Sequence, residues 1–328
     1  MNKIISVLLN PSIDEIIEID KFHVGGTFLA KNITTFPVGK AISVAIGIRL
    51  LISSIDIPIK VIALIGKDEI DTYSKFLENY KIEHELIEFL DKTRNNKTIL
   101  DKECKTITHI RNKGPLIEKK AINRLKDVVI KNLKVGTFCI LSGSIPPNSD
   151  YRIYRDIILN NRNLDVKFVL DSSGKSLLEG IKGEPHIIKP NLQELTEICP
   201  ELRKFKIFRI NSKKSKRYII NKARLMLSSH LNIILITLGK NGAICITDEF
   251  NLFGNVQVSD AFYTVGSGDA FLAGFISDYY ENNNVLKCFK KAIACGAANT
   301  LSIGPGFFKR EHVEKLMKKV KVSEIKIK

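Results

Sequence analysis

Short apolar runs alternate with segments of helical period along most of the chain. The apolar runs are rich in β-branched residues, have the length of strands, and lie at Ile4–Leu9, Lys60–Ile65, Phe138–Leu141, Lys167–Leu170, His186–Ile188 and Ile233–Thr237. Segments with helical spacing of apolar residues lie between most of these runs, at Ala41–Leu51, Asp68–Tyr80, Ala121–Leu133 and Tyr151–Leu159. This order predicts parallel crossovers, and therefore an α/β protein whose mostly parallel sheet is covered by helices on both faces.

Two stretches depart from this alternation. Asp14–Phe36 and Thr93–Ile110 alternate apolar with polar residues and lack helical period. They predict short antiparallel strands set apart from the main sheet, as a small lid formed by about 14–36 and 93–110. No low-complexity linker divides the chain, so we expect one domain over 1–328.

Composition is ordinary for a globular protein. The 328 residues are 44% hydrophobic and 26% charged, which is enough for one large core. The start of the chain has only a short apolar run before Asp14, which fits a buried first strand better than a secretory signal. The longest apolar stretch, Ala41–Ile55, contains Arg49 and falls short of the ~20 residues of a membrane span. We therefore expect a cytoplasmic protein without a membrane partner.

The formal net charge of +16 raises the question of an acidic partner. Lysine is spread along the whole chain, and the one dense cluster is Glu201–Arg217. This cluster interrupts the alternation of elements and is interpreted as an exposed basic insertion at about 201–217. No stacking-aromatic pattern accompanies it, so we expect no nucleic-acid binding.

The six cysteines, at 104, 139, 199, 245, 288 and 295, form no C-x-x-C pair. Most of them lie inside apolar runs. This favours buried reduced thiols over disulfides or a metal site.

The stretch "YTVGSGDAFLAGF" (Tyr263–Phe275) combines two glycines and an aspartate with a following apolar helix pattern. Its apolar residues share one helical face with Tyr279, so the helix should begin near Gly268 or Asp269. Gly266 and Gly268 let consecutive amides point outward as a cradle for anionic oxygens, and Asp269 at the helix start should stay ionised. A simple N-capping aspartate after a glycine turn is the alternative.

Spacing excludes two other phosphate motifs. The chain has no G-x-x-x-x-G-K-[ST] sequence, and Phe271 stands where a dinucleotide fingerprint needs its third glycine. The Walker ATPase and Rossmann dehydrogenase interpretations are therefore rejected.

The same stretch resembles the signature of the ribokinase-like PfkB sugar-kinase family, close to D-T-x-G-A-G-D. Further segments occur in the order typical of the phosphosugar branch of that family: "LLNPSIDE" (Leu8–Glu15), "TRNN" (Thr93–Asn96), "LSGSIPPN" (Leu141–Asn148), "LDSSGKSL" (Leu170–Leu177), "IKPNLQEL" (Ile188–Leu195) and "ITLGKNGA" (Ile236–Ala243). The resemblance covers nearly the whole chain. It implies a ribokinase-like three-layer α/β/α fold with a small β-sheet lid.

The resemblance also implies ATP-dependent transfer of a phosphoryl group to a hydroxyl of a sugar phosphate, with Mg²⁺ as cofactor. Asp269 matches the catalytic base of the family, and the amides of Gly266, Ser267 and Gly268 match its anion hole. Asn191 and Glu194 match the N-x-x-E motif associated with magnesium, which they would hold through water. Their alternative role is a helix cap followed by an exposed carboxylate.

Several residues match the nucleotide side of the family's site. Lys189, Thr237 and Gly239 correspond to ATP-binding positions, together with Asn191 and Gly268, and their alternative roles are strand ends and a turn. Asn299 lies where the family approaches the adenine, with a surface helix residue as the alternative.

On the sugar side, Asp14 matches the carboxylate that binds sugar hydroxyls, with a solvated strand residue as the alternative. Arg94 matches the position that holds the phosphate of the substrate, and Lys40 would add a second cation. A guanidinium group suits that task because its fork matches phosphate geometry.

The first signature of the family, G-G-K-G-x-N-x-A, is altered here to "VGKAISVA" (Val38–Ala45). Gly39 and Lys40 remain at substrate-binding positions, whereas Ser43 replaces the asparagine that contacts the sugar. Val38 and Ala41 replace glycines, which puts the sugar specificity and full activity in question.

The resemblance favours fructose 1-phosphate as substrate and fructose 1,6-bisphosphate as product. Tagatose 6-phosphate and fructose 6-phosphate are the alternative substrates, and a nucleotide-binding regulatory protein with a degenerate sugar pocket is the alternative class. Lid sheets in this family often pair between subunits, so we expect a homodimer through the lid.

Overall fold

Residues 3–52, 57–204 and 212–327 are described by the computed structural model of the chain, with Lys204 described only in its main chain. The strands are β1 Ile4–Leu8, β2 Ser12–Glu18, β3 Asn32–Val38, β4 Ile59–Gly66, β5 Glu83–Phe89, β6 Arg94–Asp101, β7 Thr106–Ile110, β8 Phe138–Ser142, β9 Lys167–Asp171, β10 Ile187–Ile188, β11 Ile233–Thr237, β12 Ala243–Ile246, β13 Asn251–Asn255 and β14 Lys321–Glu324. The helices are α1 Lys40–Leu51, α2 Ile70–Asn79, α3 Lys119–Asn132, α4 Ile153–Asn160, α5 Gly174–Ile181, α6 Leu192–Ile198, α7 Lys213–Arg224, α8 Ser267–Asn282, α9 Val285–Asn299 and α10 Arg310–Met317.

The main sheet has ten strands in the order β14-β13-β12-β11-β10-β9-β8-β1-β4-β5. All pairs from β11 to β5 are parallel, and the three pairs from β11 to β14 are antiparallel. Parallel strands need long crossovers, and the predicted helices supply them. The expected mostly parallel α/β sheet is confirmed.

Two hydrophobic cores flank this sheet. Strand β1 shows why, because Ile4 and Leu8 face one core and Ile5 and Val7 face the other. Helices α1, α2, α8, α9 and α10 supply the first core, and α3 to α7 supply the second. A strand buried on both faces reads as a continuous apolar run, which is the pattern in the sequence.

The stretches 14–36 and 93–110 lie in a separate four-stranded sheet in the order β3-β2-β6-β7. The hairpins β2–β3 and β6–β7 are antiparallel, but β2 and β6 pair in parallel, with Ser12 opposite Arg94 and Asp14 opposite Asn96. The expectation of antiparallel strands alone was therefore wrong at this pair. The inner face of the sheet contributes Ile16 and Leu100 to a small cluster with Tyr263.

The basic stretch at 201–217 does not form one element. Residues 201–204 belong to a short 3₁₀ helix, and residues 205–211 lie outside the described residues. Residues 213–217 form the first turns of α7, whose side chain cap is Ser212 and whose Ile219 and Ile220 are buried. The last part of the stretch is thus a regular crossover helix rather than an insertion, because its apolar face packs on the second core.

Across the described residues, no helix combines the length and the apolar composition needed to cross a membrane. Of the six cysteines, five are buried and Cys104 is exposed, and all are free thiols.

Candidate active site

The glycine turn before α8 lies at the carboxyl edge of the main sheet. Gly266 is the N-cap of α8 and has a positive φ of 78°. A Cβ atom there would lie 2.1 Å from the backbone nitrogen of Gly306, so only glycine fits this close approach. Helix α8 begins at Ser267, one residue before the predicted start, and no side chain caps it.

The amides of this turn differ in availability. The Ser267 amide donates to the Thr264 carbonyl at 3.3 Å, so it is already used within the turn. The next amides, at Gly268 and Asp269, fall in the first turn of the helix, where no carbonyl of the helix can accept from them. A Cβ atom at Gly268 would lie 3.5 Å from Lys189 Nζ. These two amides and the ammonium group together favour an anion at this place.

Asp269 is buried, with 7% of its surface exposed. Burial raises the pKa of Asp269 to about 7; Lys40 and Lys189 lower it, and Asp171 and Asp14 add to the rise. Desolvation thus opposes the helix dipole, which favours the charged form, and the ionised state of Asp269 at neutral pH stays a prediction. A pKa near neutrality suits a group that accepts and releases a proton.

A buried ion cluster lies beside Asp269. Asp171, the last residue of β9, is fully buried and pairs with Lys40 Nζ at 3.1 Å and Lys189 Nζ at 3.2 Å. Lys189 is 4% exposed and Lys40 is 36% exposed. Burial opposes the ionisation of Asp171, but the two ammonium groups lower its pKa below the ordinary value. Burial also opposes the charge of Lys40, yet Asp171, Asp269 and Glu194 raise its pKa.

Asp171 was missed by the sequence analysis. The available signal was its place in "LDSSGKSL", directly at the end of a buried strand, since ligands bind at the carboxyl edge of such sheets. Its second oxygen, Oδ2, has no hydrogen-bond partner among the described residues. A buried carboxylate oxygen without a partner needs a donor or a cation, so the cluster is incomplete as it stands.

Asn191 and Glu194 form a capping box at the start of α6. Asn191 Oδ1 accepts from the Glu194 amide at 2.9 Å, and Glu194 Oε2 accepts from the Asn191 amide at 2.7 Å. The helix-cap role is present, but the carboxylate is buried rather than exposed.

Among the described residues, no three acidic, histidine or cysteine side chains converge tightly enough to hold a metal directly. The donors fit a magnesium ion that keeps its water shell, because the capping box uses only one oxygen of Glu194 and Asp171 Oδ2 is unpaired.

The other residues expected on the nucleotide side lie along the same edge. Asn191 forms an isolated parallel bridge with Thr237, the last residue of β11. Gly239 begins a 3₁₀ helix with a φ of 59°, and a Cβ atom there would meet nothing within 4 Å. The structure thus brings Lys189, Asn191, Thr237 and Gly239 together around an open edge.

Asn299 ends helix α9 and is fully buried, so its alternative role as a surface residue is wrong. Its amide nitrogen donates to the Val265 carbonyl at 2.8 Å and to Ser267 Oγ at 3.4 Å. The side chain therefore fixes the glycine turn. Its contact with a nucleotide stays a prediction.

The altered segment "VGKAISVA" (38–45) packs into the hydrophobic core. Val38 at the end of β3 and Ala41 in the first turn of α1 are both buried, so their β-carbons do not project into an open pocket. Gly39 has a φ of 144° and packs against Leu8, where a Cβ atom would lie 2.7 Å from the leucine side chain. Ser43 is fully buried and lies under Gly306, and its hydroxyl oxygen has no partner in the described ranges.

On the small sheet, Asp14 Oδ1 accepts from Asn96 Nδ2 at 2.8 Å. Arg94 donates to three backbone carbonyls, those of Pro11 at 3.0 Å and of Asn10 and Asn112 at 3.2 Å. Burial lowers the pKa of Arg94, Asp14 opposes this effect and Arg111 adds to it. Three of its five N–H groups are thus used to hold loops, and two remain.

Lys40 interacts with carboxylates of the buried ion cluster. Its ammonium group is committed to Asp171 and lies among the carboxylates of Asp269 and Glu194. Lys40 is thus paired with Asp171 in the free protein, and its role as a second cation for a substrate phosphate stays a prediction.

Comparison with known proteins identifies the family of the chain. Residues 7–311 match the sequence profile described as the pfkB family carbohydrate kinase. The chain is 26% identical over 322 residues to 1-phosphofructokinase of Bacillus subtilis, covering 98% of this chain and 100% of the relative. It is 26% identical over 336 residues to tagatose-6-phosphate kinase of Staphylococcus epidermidis, covering 98% and 100%.

A crystal structure of phosphofructokinase-2 from Escherichia coli, in complex with substrates and products, superposes with a TM-score of 0.84. The match covers 97% of this chain and 99% of that chain at 20% identity, and shows the same fold. The match to the family profile spans most of the chain and includes the glycine turn, Asp269 and the buried cluster. The chain belongs to the pfkB family of carbohydrate kinases, which are phosphotransferases with an alcohol group as acceptor.

Proposed function

We propose that the protein phosphorylates a sugar phosphate with ATP, and that its substrate is fructose 1-phosphate. The order of charged groups across the site carries this proposal. Asp14 and Arg94 lie on neighbouring strands of the small sheet, where Ser12 is opposite Arg94 and Asp14 is opposite Asn96, and the charge of Asp14 contributes to the raised pKa of Asp269. A substrate that fits this order places a reacting hydroxyl group at Asp269 and an anionic group at Arg94. Its other hydroxyl groups would lie near Asp14.

In the proposed reaction, a sugar hydroxyl oxygen attacks the γ-phosphorus of ATP and the bond to the bridging oxygen of ADP breaks. Asp269 accepts the proton of that hydroxyl. The amides of Gly268 and Asp269, with the ammonium groups of Lys189 and Lys40, stabilise the negative charge on the phosphoryl oxygens. Bound magnesium, held through water by Asn191 and Glu194 with Asp171 beside them, would neutralise charge on the phosphates of the nucleotide.

The names of the relatives support a sugar phosphate as the substrate, but they fit more than one sugar phosphate. One relative is a 1-phosphofructokinase and another is a tagatose-6-phosphate kinase, at equal identity. A regulatory protein with a degenerate pocket is less well supported, because the altered residues of the 38–45 segment are buried and Gly266, Gly268 and Asp269 are all present.

A coupled assay of ADP release tests the proposal. Fructose 1-phosphate, fructose 6-phosphate, tagatose 6-phosphate and free fructose are compared at equal concentrations with MgATP. We expect the highest kcat/KM with fructose 1-phosphate and a far lower one with free fructose. Preference for another phosphosugar would show that fructose 1-phosphate is not the main substrate. Preference for free fructose would contradict the proposal that the substrate is a sugar phosphate.

Arg94→Ala is expected to lower kcat/KM for the phosphosugar, by an amount that corresponds to a loss of roughly 2–4 kcal/mol of transition-state binding free energy. The kcat/KM for free fructose should stay nearly unchanged. The reason is that the two N–H groups not used for loops face an anion only in the phosphosugar. Both substrates are measured with wild type and variant. Equal losses for both substrates would mean that Arg94 only supports the loops at Asn10, Pro11 and Asn112.

We also propose that the small sheet forms a homodimer interface. Its outer strands β3 and β7 each have one edge without a strand partner within the described ranges, and its β2–β3 hairpin exposes Val24 at 96% and Leu29 at 93%. Exposed apolar residues beside a free strand edge favour association. Light scattering should give twice the mass of the 36.9 kDa chain.

Leu29→Lys should shift this mass toward the monomer. Leu225→Lys is the matched control, since Leu225 is 78% exposed on α7's end and belongs to the main domain. A monomeric wild type, or equal dissociation by both substitutions, would contradict an interface through the small sheet.

A further inference from the structure

A buried tyrosine connects the glycine turn to the inner face of the small sheet. Tyr263 lies just before that turn and is 1% exposed. Its side chain forms a small apolar cluster with Ile16 of β2 and Leu100 of β6. Its amide donates to the Thr300 carbonyl at 3.2 Å, so the main chain is fixed as well. The ring therefore has one defined position beneath the small sheet.

The ring packs on the face of the small sheet that carries Asp14. Alternate residues of a strand share one face, so Asp14 and Ile16 lie on the same side of β2. Burial raises the pKa of the Tyr263 hydroxyl, and the charge of Asp14 adds to the rise. The same charge acts on Asp269. The phenol and the two carboxylates thus border one space, between the small sheet and the start of α8.

The hydroxyl group of Tyr263 forms no hydrogen bond within the described part of the chain. Among the described residues, it is also not one of the fully enclosed polar atoms without a partner, so the oxygen reaches the space outside the apolar cluster. Other fully buried tyrosines have partners: Tyr73 donates to the Ser12 carbonyl at 2.7 Å, and Tyr154 to the Gly143 carbonyl at 3.2 Å. Because a buried tyrosine hydroxyl normally has a partner, a bound ligand is expected to supply one here.

The chemistry of Asp14 indicates which ligand fits. Its Oδ1 accepts from Asn96 Nδ2 at 2.8 Å, and its second oxygen has no partner in the described ranges. A carboxylate only accepts hydrogen bonds, whereas a phenol can donate and accept. An anionic group at this place would be repelled by Asp14, and an apolar group would leave both oxygens unpaired. Hydroxyl groups of a sugar can satisfy both side chains.

We propose that Tyr263 determines substrate specificity, and that its hydroxyl group hydrogen-bonds the C3 or the C4 hydroxyl group of the sugar held at Asp14. This inference rests on the proposed function and deepens it. The apolar cluster fixes the phenol before the sugar binds, so little side-chain entropy is lost on binding. A sugar without the matching hydroxyl group would leave the phenol unpaired, which disfavours that sugar.

Tyr263→Phe tests the proposal, because it keeps the ring and removes only the hydroxyl group. The denaturant midpoint of unfolding should not fall, since the free protein loses no hydrogen bond. We expect kcat/KM for fructose 1-phosphate to fall about 2- to 15-fold, as for one lost uncharged hydrogen bond. The KM for ATP should stay unchanged.

The 3-deoxy and 4-deoxy analogues of fructose 1-phosphate identify the bonded hydroxyl group. Both retain the phosphate and the hydroxyl group that reacts. For the analogue that lacks the bonded hydroxyl, wild type and Tyr263→Phe should have the same kcat/KM, because the interaction is already absent. For the other analogue, the variant should show the same loss as with fructose 1-phosphate.

Tyr279→Phe is the matched control. Tyr279 is also buried, but its hydroxyl oxygen lies 3.0 Å from His186 Nε2, away from the glycine turn in α8. This variant should show the opposite result, with a lower midpoint of unfolding and an unchanged kcat/KM.

A wild-type kcat/KM in Tyr263→Phe would overturn the inference and leave the proposed function standing. An equal loss with fructose 1-phosphate and both analogues would also overturn it, because Tyr263 would then act only through the packing of the small sheet. If another phosphosugar is the better substrate, the deoxy analogues of that sugar are used, so the two proposals fail separately. A wild type that phosphorylates no sugar phosphate would refute the proposed function itself.

Discussion

Asp269→Asn is expected to lower kcat by at least ~10²-fold while the affinities for MgATP and the phosphosugar change little. Asparagine keeps the shape of the side chain and removes the group that accepts the proton. Because Asp269 is buried at the first turn of α8, a water molecule cannot easily take its place. Steady-state rates and calorimetric titrations with each ligand measure the two effects separately.

The pH profile supplies the internal control. The pKa of Asp269 is raised to about 7, so the base is protonated at acidic pH and kcat/KM should rise as pH increases through about 7. The residual activity of Asp269→Asn should lack this acidic limb. Asp278→Asn is the matched substitution in the same helix, because Asp278 is also buried but pairs with Lys291 at 2.6 Å outside the site. Turnover near the wild-type value in Asp269→Asn would refute the assignment of the base.

The local spacing of apolar residues in the sequence was sufficient to predict most of the helices and strands. The run at 4–9 predicted β1, and the helical spacing at 41–51 matched α1 to within one residue at its start. Such elements follow from side-chain periodicity, which neighbours in sequence determine. The glycine turn was also predictable, because close backbone approach and a positive φ both require glycine at 266.

Contacts between distant segments were not predictable in this way. The parallel pairing of β2 with β6 joins residues about 80 positions apart, and no local pattern specifies its direction. The same limit applies to Asp171, which becomes a site residue only because Lys40 and Lys189 arrive from two other elements. The rise in the pKa of Asp269 was not predictable for the same reason, since it depends on burial by the whole fold.

The cluster of Asp171, Lys40 and Lys189 has to serve both stability and catalysis. A buried carboxylate between two ammonium groups stabilises the fold little compared with apolar residues, but the loss of one partner leaves a charge without compensation. Lys189 is the more sensitive partner, since it is 4% exposed whereas Lys40 reaches solvent. Its Nζ also lies beside the glycine turn, where the transferred phosphoryl group is expected.

Asp171→Asn is therefore expected to lower the free energy of unfolding by about 3–5 kcal/mol, the usual effect of removing one member of a buried ion pair. Asparagine has nearly the same volume, so the loss reflects charge rather than a cavity. Denaturant unfolding at neutral pH, compared with the wild type, measures it. Turnover should fall as well, because Lys40 and Lys189 lose the group that positions them.

The double variant Asp171→Asn/Lys189→Met separates the two roles. Removing the buried ammonium together with its counter-charge leaves only Lys40, which solvent can reach, so most of the lost stability should return. Activity should not return, because Lys189 is the cation next to Gly268 in the glycine turn. Recovery of both properties would show that Lys189 does not act on the phosphoryl group. An unchanged unfolding midpoint in Asp171→Asn would show instead that solvent or a bound ion already compensates the two lysines.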